Sequence, residues 1–106
     1  MFLVRRVCKV ERKDAWQVAK LLRDICTAYE NDNGRNSATI YITGTGTPAP
    51  DITVCAEWLQ DTIESNRIPN VPDSVKRANG EMFPLLQAYD IEFHEVATDD
   101  KIAERT

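Results

Sequence analysis

The chain has a single histidine, His94, and an imidazole is the one side chain whose ordinary titration falls near neutral pH. It lies in the run YDIEFHEVAT, Tyr89 to Thr98, two residues after Glu92. A carboxylate beside it, Glu57 or Glu92, would poise it as a general base. Arg5, set against either acid, reads as an anion clamp for a substrate carboxylate or as a plain cross-strand ion pair. Tyr41 brings a hydroxyl that needs a partner. Trp58, like Trp16, is of a type found more often in a core than as a ligand platform. Arg5, Tyr41, Glu57, Trp58 and His94 form the candidate ligand-binding set, and no residue is assigned a catalytic role.

Several chemistries lack support in the sequence. The lone histidine has no elbow-type serine to activate, so no Ser/His/Asp arrangement is legible. A metal would have to take His94 with carboxylates, and no spacing in the sequence supports that. Gly44-Thr45-Gly46-Thr47 lacks the G-x-G-x-x-G spacing and the P-loop lysine, and it leads into a strand, so it reads as a strand end and loop. No cofactor and no metal is expected. The formal charge of −4 gives no basic footprint for nucleic acid.

The three cysteines, Cys8, Cys26 and Cys55, are widely spaced and odd in number, which fits reduced, buried thiols rather than a disulfide scaffold or a zinc site. MFLVRRVCKV is broken by Arg5 and Arg6 too early for a signal peptide, and no stretch is long enough to span a membrane. The expectation is a soluble cytoplasmic protein without membrane partners.

These residues need elements to hold them. Phe2 to Glu11 reads as a strand with Phe2, Val4, Cys8 and Val10 on one parity, an apolar set interrupted by Arg6. Asp14 with Gln17 forms a capping-box pattern that opens a helix. Its stripe is Ala15, Val18, Leu22, Ile25, Cys26 and Tyr29, and Asn33-Gly34 stops it. Ala38 to Asp61, ATIYITGTGTPAPDITVCAEWLQD, is a pair of strands around a Gly/Thr/Pro loop, with Pro48 and Pro50 marking where pairing stops.

Residues 61–71 read as a polar connection. A second helix starts at Pro72 or Asp73, with Val75, Ala78, Met82, Leu85, Leu86 and Tyr89 as its stripe and a kink near Asn79-Gly80 caused by Pro84. Tyr89 to Thr98 is a fourth strand. Residues 1–98 make one domain, and the charged tail 99–106 is expected to be loose.

Strand, helix, strand, strand, helix, strand is the ferredoxin-like β-α-β-β-α-β pattern. It gives an α+β fold with a four-stranded antiparallel sheet in order 4-1-3-2 and both helices on one face. Ile40, Ile42, Val54, Ala56, Trp58, Ile91 and Phe93 then face the helices. The opposite face carries Arg5, Val7, Lys9, Tyr41, Thr43, Cys55, Glu57, Leu59, Glu92, His94 and Val96. That mixture suits contact with a second sheet better than plain exposure to water.

The runs FLVRRVCKV, DAWQVAKLLRDICTAYE, ATIYITG, ITVCAEW and AYDIEFHEVAT, in this order, make the chain resemble the dimeric α+β barrel superfamily, and within it the NIPSNAP-like group. The resemblance implies a homodimer through the sheet faces. It places any ligand site in the cleft between sheet and helices or in the barrel interior. Superfamily members include cofactor-free monooxygenases, haem-degrading enzymes, isomerases and proteins without known activity. Those that ligate haem through histidine usually carry it on a helix, whereas His94 is on a strand, so haem is not expected. Two readings follow. One is the binding of a small organic molecule, with cofactor-independent monooxygenase or isomerase chemistry as an extension; the other is a structural or protein-interaction module without catalysis.

Overall fold

In the computed structural model, which describes residues 1–66 and 68–106, four strands and three α-helices follow one another along the chain. They are β1 (Phe2–Val10), α1 (Ala15–Asn33), β2 (Thr39–Thr43), β3 (Thr53–Gln60), α2 (Asp73–Met82), β4 (Leu86–Glu95) and α3 (Asp99–Arg105). The sheet is antiparallel, in the order β2-β3-β1-β4, as the element order predicts. β1 is therefore central, bonded to both β3 and β4, and its side chains decide what lies at the middle of each face.

Strand alternation divides the residues cleanly. Val4, Cys8 and Val10 of β1 and Val54, Ala56 and Trp58 of β3 are buried under the helices, together with Ala15, Val18, Leu22, Ile25 and Cys26 of α1. Leu21 joins them, so the apolar stripe of α1 is wider than the sequence stripe. Val75, Ala78 and Met82 are the buried face of α2. The three cysteines are free and buried. Burying a Leu, Ile, Val or Met side chain in such a core contributes about 1.5–3 kcal/mol each.

Several local expectations change. A single 3-10 turn, Arg12–Asp14, precedes α1, and Asp14 makes no side-chain cap hydrogen bond, so the capping box does not form. The carboxylate lies 3.7 Å from Lys13 Nζ instead. The stop at Gly34 is as expected, left-handed at φ 67°, with its N–H bonded to the Tyr29 carbonyl. Trp16 is 74% exposed rather than in the core, because it sits one residue off the buried stripe.

α2 passes through Gly80 without the expected interruption and ends at Met82. A 3-10 turn, Phe83–Leu85, carries Pro84, and β4 begins at Leu86, so Leu86 and Tyr89 are strand residues rather than helical ones. The physical reason is that Pro84 has no N–H to donate to the Gly80 carbonyl, so the last helical bond is the one from the Phe83 N–H to the Asn79 carbonyl, and Phe83, still helical in its dihedral angles, leads into the 3-10 turn without a bend three residues earlier.

The 61–71 connection includes a 3-10 turn at Glu64–Asn66; its residue 67 lies outside the described residues. The tail is not loose: residues 99–105 form α3, capped by Thr98, whose hydroxyl accepts from the Lys101 N–H. Among the described residues no helix is long and apolar enough to cross a membrane.

Candidate functional site

On the face away from the core helices, all four strands contribute to one line of polar groups. The register sets Arg5 of β1 directly between Glu57 of β3 and Glu92 of β4. Its Nε lies 3.5 Å from Glu57, and its Nη1 lies 3.5 Å from Glu92. Tyr41, diagonal to Glu57 on β2, donates its hydroxyl proton to that carboxylate at 2.6 Å. His94 Nε2, two residues along β4, lies 2.9 Å from the other carboxylate. Tyr41, Glu57, Arg5, Glu92 and His94 thus form a continuous chain across the sheet. Burial, and then the hydrogen bond to Glu57, push the Tyr41 hydroxyl well above the usual tyrosine pKa. The Arg5 Nε is itself buried and has no hydrogen-bond partner among the described residues, since its distance to Glu57 is that of an ion pair.

Four of the five candidate residues therefore converge, and Glu92 completes them. Trp58 does not join them. It is 2% exposed on the opposite face, where alternation puts every residue of its parity, and its indole N–H donates to Gln60 Oε1 at 2.9 Å.

Two openings on the helix side of the sheet bear on these residues. The larger, about 470 Å³, lies between α1 and the edge strand β2. Ala19, Ile40 and Ile42 give it an apolar lining, Trp16 adds an aromatic ring, Tyr41 borders it from β2 while its hydroxyl reaches Glu57 on the other face, and Lys20 and Arg23 stand at α1. Both of these cations are held by Asp24, at 3.4 and 3.3 Å. The Gly44–Thr47 segment closes one end; Gly44 is at φ 100°, and its N–H donates to the Thr47 hydroxyl.

The smaller opening, about 130 Å³, lies over Trp58, between Arg6, Tyr29, Arg35, Asn66, Tyr89 and Ile91. Arg35 follows the α1 stop and places its guanidinium 4.2 Å from the Tyr29 ring centre and 4.6 Å from that of Trp58. Among the described residues no cluster of His, Cys, Asp and Glu could hold a metal ion.

No protein-family model matches the chain, and no curated protein does. Solved structures do. A protein from Deinococcus radiodurans, provisionally named an antibiotic biosynthesis monooxygenase, superposes with TM-score 0.63 at 16% identity, over 92% of this chain and 94% of that one. A second protein so named, from Caulobacter crescentus, gives 0.60 at 17% identity over 92% and 90%. An uncharacterized NIPSNAP domain protein from Burkholderia xenovorans gives 0.55 at 14% identity over 93% and 97%.

The chain has the ferredoxin-like α+β fold of these structures. Identity this low shows the fold alone and leaves the site to be read from the chain's own residues. Sequence reasoning missed Arg6, Tyr29, Arg35 and Tyr89. The signal for Arg6 was present, a charged residue on a buried parity, which marks a polar group held for a reason. Arg35 carried no signal, because only the α1 stop brings it over Trp58.

Proposed function

We propose that this ferredoxin-like α+β protein binds a small, largely apolar organic molecule in the cleft between α1 and β2. One observation carries the reading: the cleft has the volume of an ordinary small-molecule site, about 470 Å³, within the roughly 300–1,000 Å³ usual for such pockets. Its lining of alanine, isoleucine and tryptophan side chains suits an apolar body, and Lys20, Arg23 and Thr45 supply orienting polar groups.

Two structural neighbours carry monooxygenase names, and an aromatic molecule in the cleft would suit chemistry of that kind. The lining itself favours binding over catalysis. Tyr41 holds its proton tightly and spends it on Glu57, while His94 and Glu92 belong to the far face.

The test is a fragment screen by saturation-transfer NMR on the protein and on Ala19→Phe, whose ring would fill the floor of the cleft. Hits are expected to bind the parent chain, shift α1 and β2 amide resonances, and lose affinity at least ten-fold in Ala19→Phe. Hits that bind both proteins equally would remove the proposal.

A specific observation favours a second role for the opposite face as an interface between two copies. Cys55 is only 4% exposed there, while Leu59 on the same parity is open and the buried Arg5 Nε lacks a hydrogen-bond acceptor. The row of Glu57, Arg5 and Glu92 alternates in sign, so a second copy turned about a two-fold axis and offset by one strand can set a Glu against each Arg5. Sedimentation velocity should then show about twice the 12.0 kDa chain mass, and Val7→Glu, which adds a charge to the middle of that face, should return it to the single-chain mass. A parent chain that sediments as a monomer at high micromolar concentration would dispose of this interface.

A further inference from the structure

The smaller cavity brings two guanidinium groups together without a carboxylate. Arg6 enters from β1 and is 8% exposed. In register it stands between Ala56 and Ile91, neither of which can neutralise it. Arg35 enters from beyond the left-handed Gly34. No ion pair within 4.0 Å involves either guanidinium among the described residues. Glu30, in the last turns of α1, is occupied by the Ala38 N–H at 2.8 Å. This happens in a chain with 17 acidic and 13 basic residues, where acids are not scarce.

Aromatic rings account for part of the arrangement. Arg35 lies against Tyr29 and Trp58, and Arg6 lies 5.3 Å from the centre of the Tyr89 ring. A ring stabilises a cation over its face, yet it offers no lone pair to the N–H groups in the guanidinium plane. Each guanidinium has five such donors, and Arg6 uses its Nε–H on the Tyr89 hydroxyl at 2.8 Å. Removing two like charges from water together is unfavourable unless acceptors meet the remaining donors. Burial, with Arg6 acting in the same direction, lowers the Arg35 pKa from its ordinary value. Tyr89 is pushed the other way, chiefly by burial, so it keeps its proton and has an O–H to donate while accepting from Arg6.

We infer that the cavity formed by Arg6, Arg35, Tyr29, Trp58, Asn66 and Tyr89 binds a small oxyanion, a carboxylate or phosphate group, free or at the end of a larger molecule. The size agrees. About 130 Å³ is roughly four water volumes at about 30 Å³ each, too small for a drug-sized body and enough for an anionic head. Guanidinium forks match the paired oxygens of carboxylate and phosphate, and the Tyr89 hydroxyl and the Asn66 amide add neutral donors. The site is separate from the cleft at β2 and does not depend on that cleft being occupied.

The probes are sodium phosphate and sodium acetate, titrated at constant ionic strength set with chloride and followed by calorimetry and by the arginine Nε–Hε resonances in NMR. At least one anion should bind saturably and move the Arg6 and Arg35 resonances; whichever arm responds identifies the oxyanion. Arg35→Gln should weaken binding at least ten-fold, and Tyr89→Phe, which keeps the ring and removes the hydroxyl, several-fold. Lys20→Gln, at the other opening, should leave it unchanged. Absence of saturable binding in both arms, or equal affinity in the parent chain, Arg35→Gln and Tyr89→Phe, would overturn the inference.

Discussion

The two tryptophans make opposite contributions, although their residue type alone suggested the same one. Trp58 is sealed between β3 and the helices, donates its N–H to Gln60 and lies under Arg35. Truncating it opens a cavity the size of an indole, and Trp58→Ala should lower stability by about 3–5 kcal/mol. Trp16 leaves most of its surface in water beside the cleft. Trp16→Ala should change stability by no more than about 0.5 kcal/mol, while altering whatever the cleft binds. Urea unfolding of the two variants checks the pair, and a large loss in Trp16→Ala would contradict the exposure described here. The sequence distinguished these residues only in part. Alternation along β3 put Trp58 on the buried parity, but whether a helical tryptophan lies on the stripe or one position off it depends on helix rotation. The polar line across the open face was legible for the same reason as Trp58: a period of two fixes facing. What alternation cannot give is register, and register is what aligns Glu57, Arg5 and Glu92.

At the scale of elements, the strand order and the helix count of the sheet layer followed from the β-α-β-β-α-β order, because connection rules leave few topologies open. The ends of elements were harder to read. Pro84 was correctly a breaker, but the bond it cannot make is the one that would follow the last helical bond, from Phe83 to Asn79, so α2 keeps Gly80 inside an unbroken helix. A β-carbon built on Gly80 meets nothing within 4 Å. Gly80→Ala should therefore stabilise the protein by about 0.5–1 kcal/mol, the helix preference of alanine over glycine. Gly44 is the opposite case. Its φ of 100° disfavours any L side chain, and a β-carbon there would come 2.7 Å from the Asp51 carbonyl oxygen. Gly44→Ala should destabilise by more than about 1 kcal/mol and loosen the loop that closes the cleft. Thermal unfolding of the two alanine variants should move in opposite directions; a common direction would mean that one of these backbones is wrongly described. α3 had a signal that charge alone concealed: Thr98 as a cap, Asp99 and Asp100 in the first turn and Arg105 in the last.

For the whole molecule, the buried weak acids set an alkaline limit to stability. Burial pushes the Cys8 thiol from its ordinary 9.0 up to about 11, and Arg6 opposes the shift only in part. Burial is also the first cause of the raised pKa values of Cys26, Cys55, Tyr41 and Tyr89. Below pH 9 both the folded and the unfolded chain hold the Cys8 proton, and the contribution to stability is complete. Between pH 9 and 11 the unfolded chain has released a proton that the folded chain keeps, so the free energy of unfolding falls as pH rises. The slope approaches about 1.4 kcal/mol per pH unit for each proton so held. The other four groups act with the same sign, so the fall should be steeper than one thiol gives. Urea midpoints measured under reducing conditions should decline steadily from pH 8.5 to 10.5, and Cys8→Ala, whatever its effect at pH 8, should make that decline shallower. A midpoint that stays level across the interval would show the thiols and phenols to be open to water. The burial of Cys8 of β1 and Cys26 of α1 in the core would then not hold.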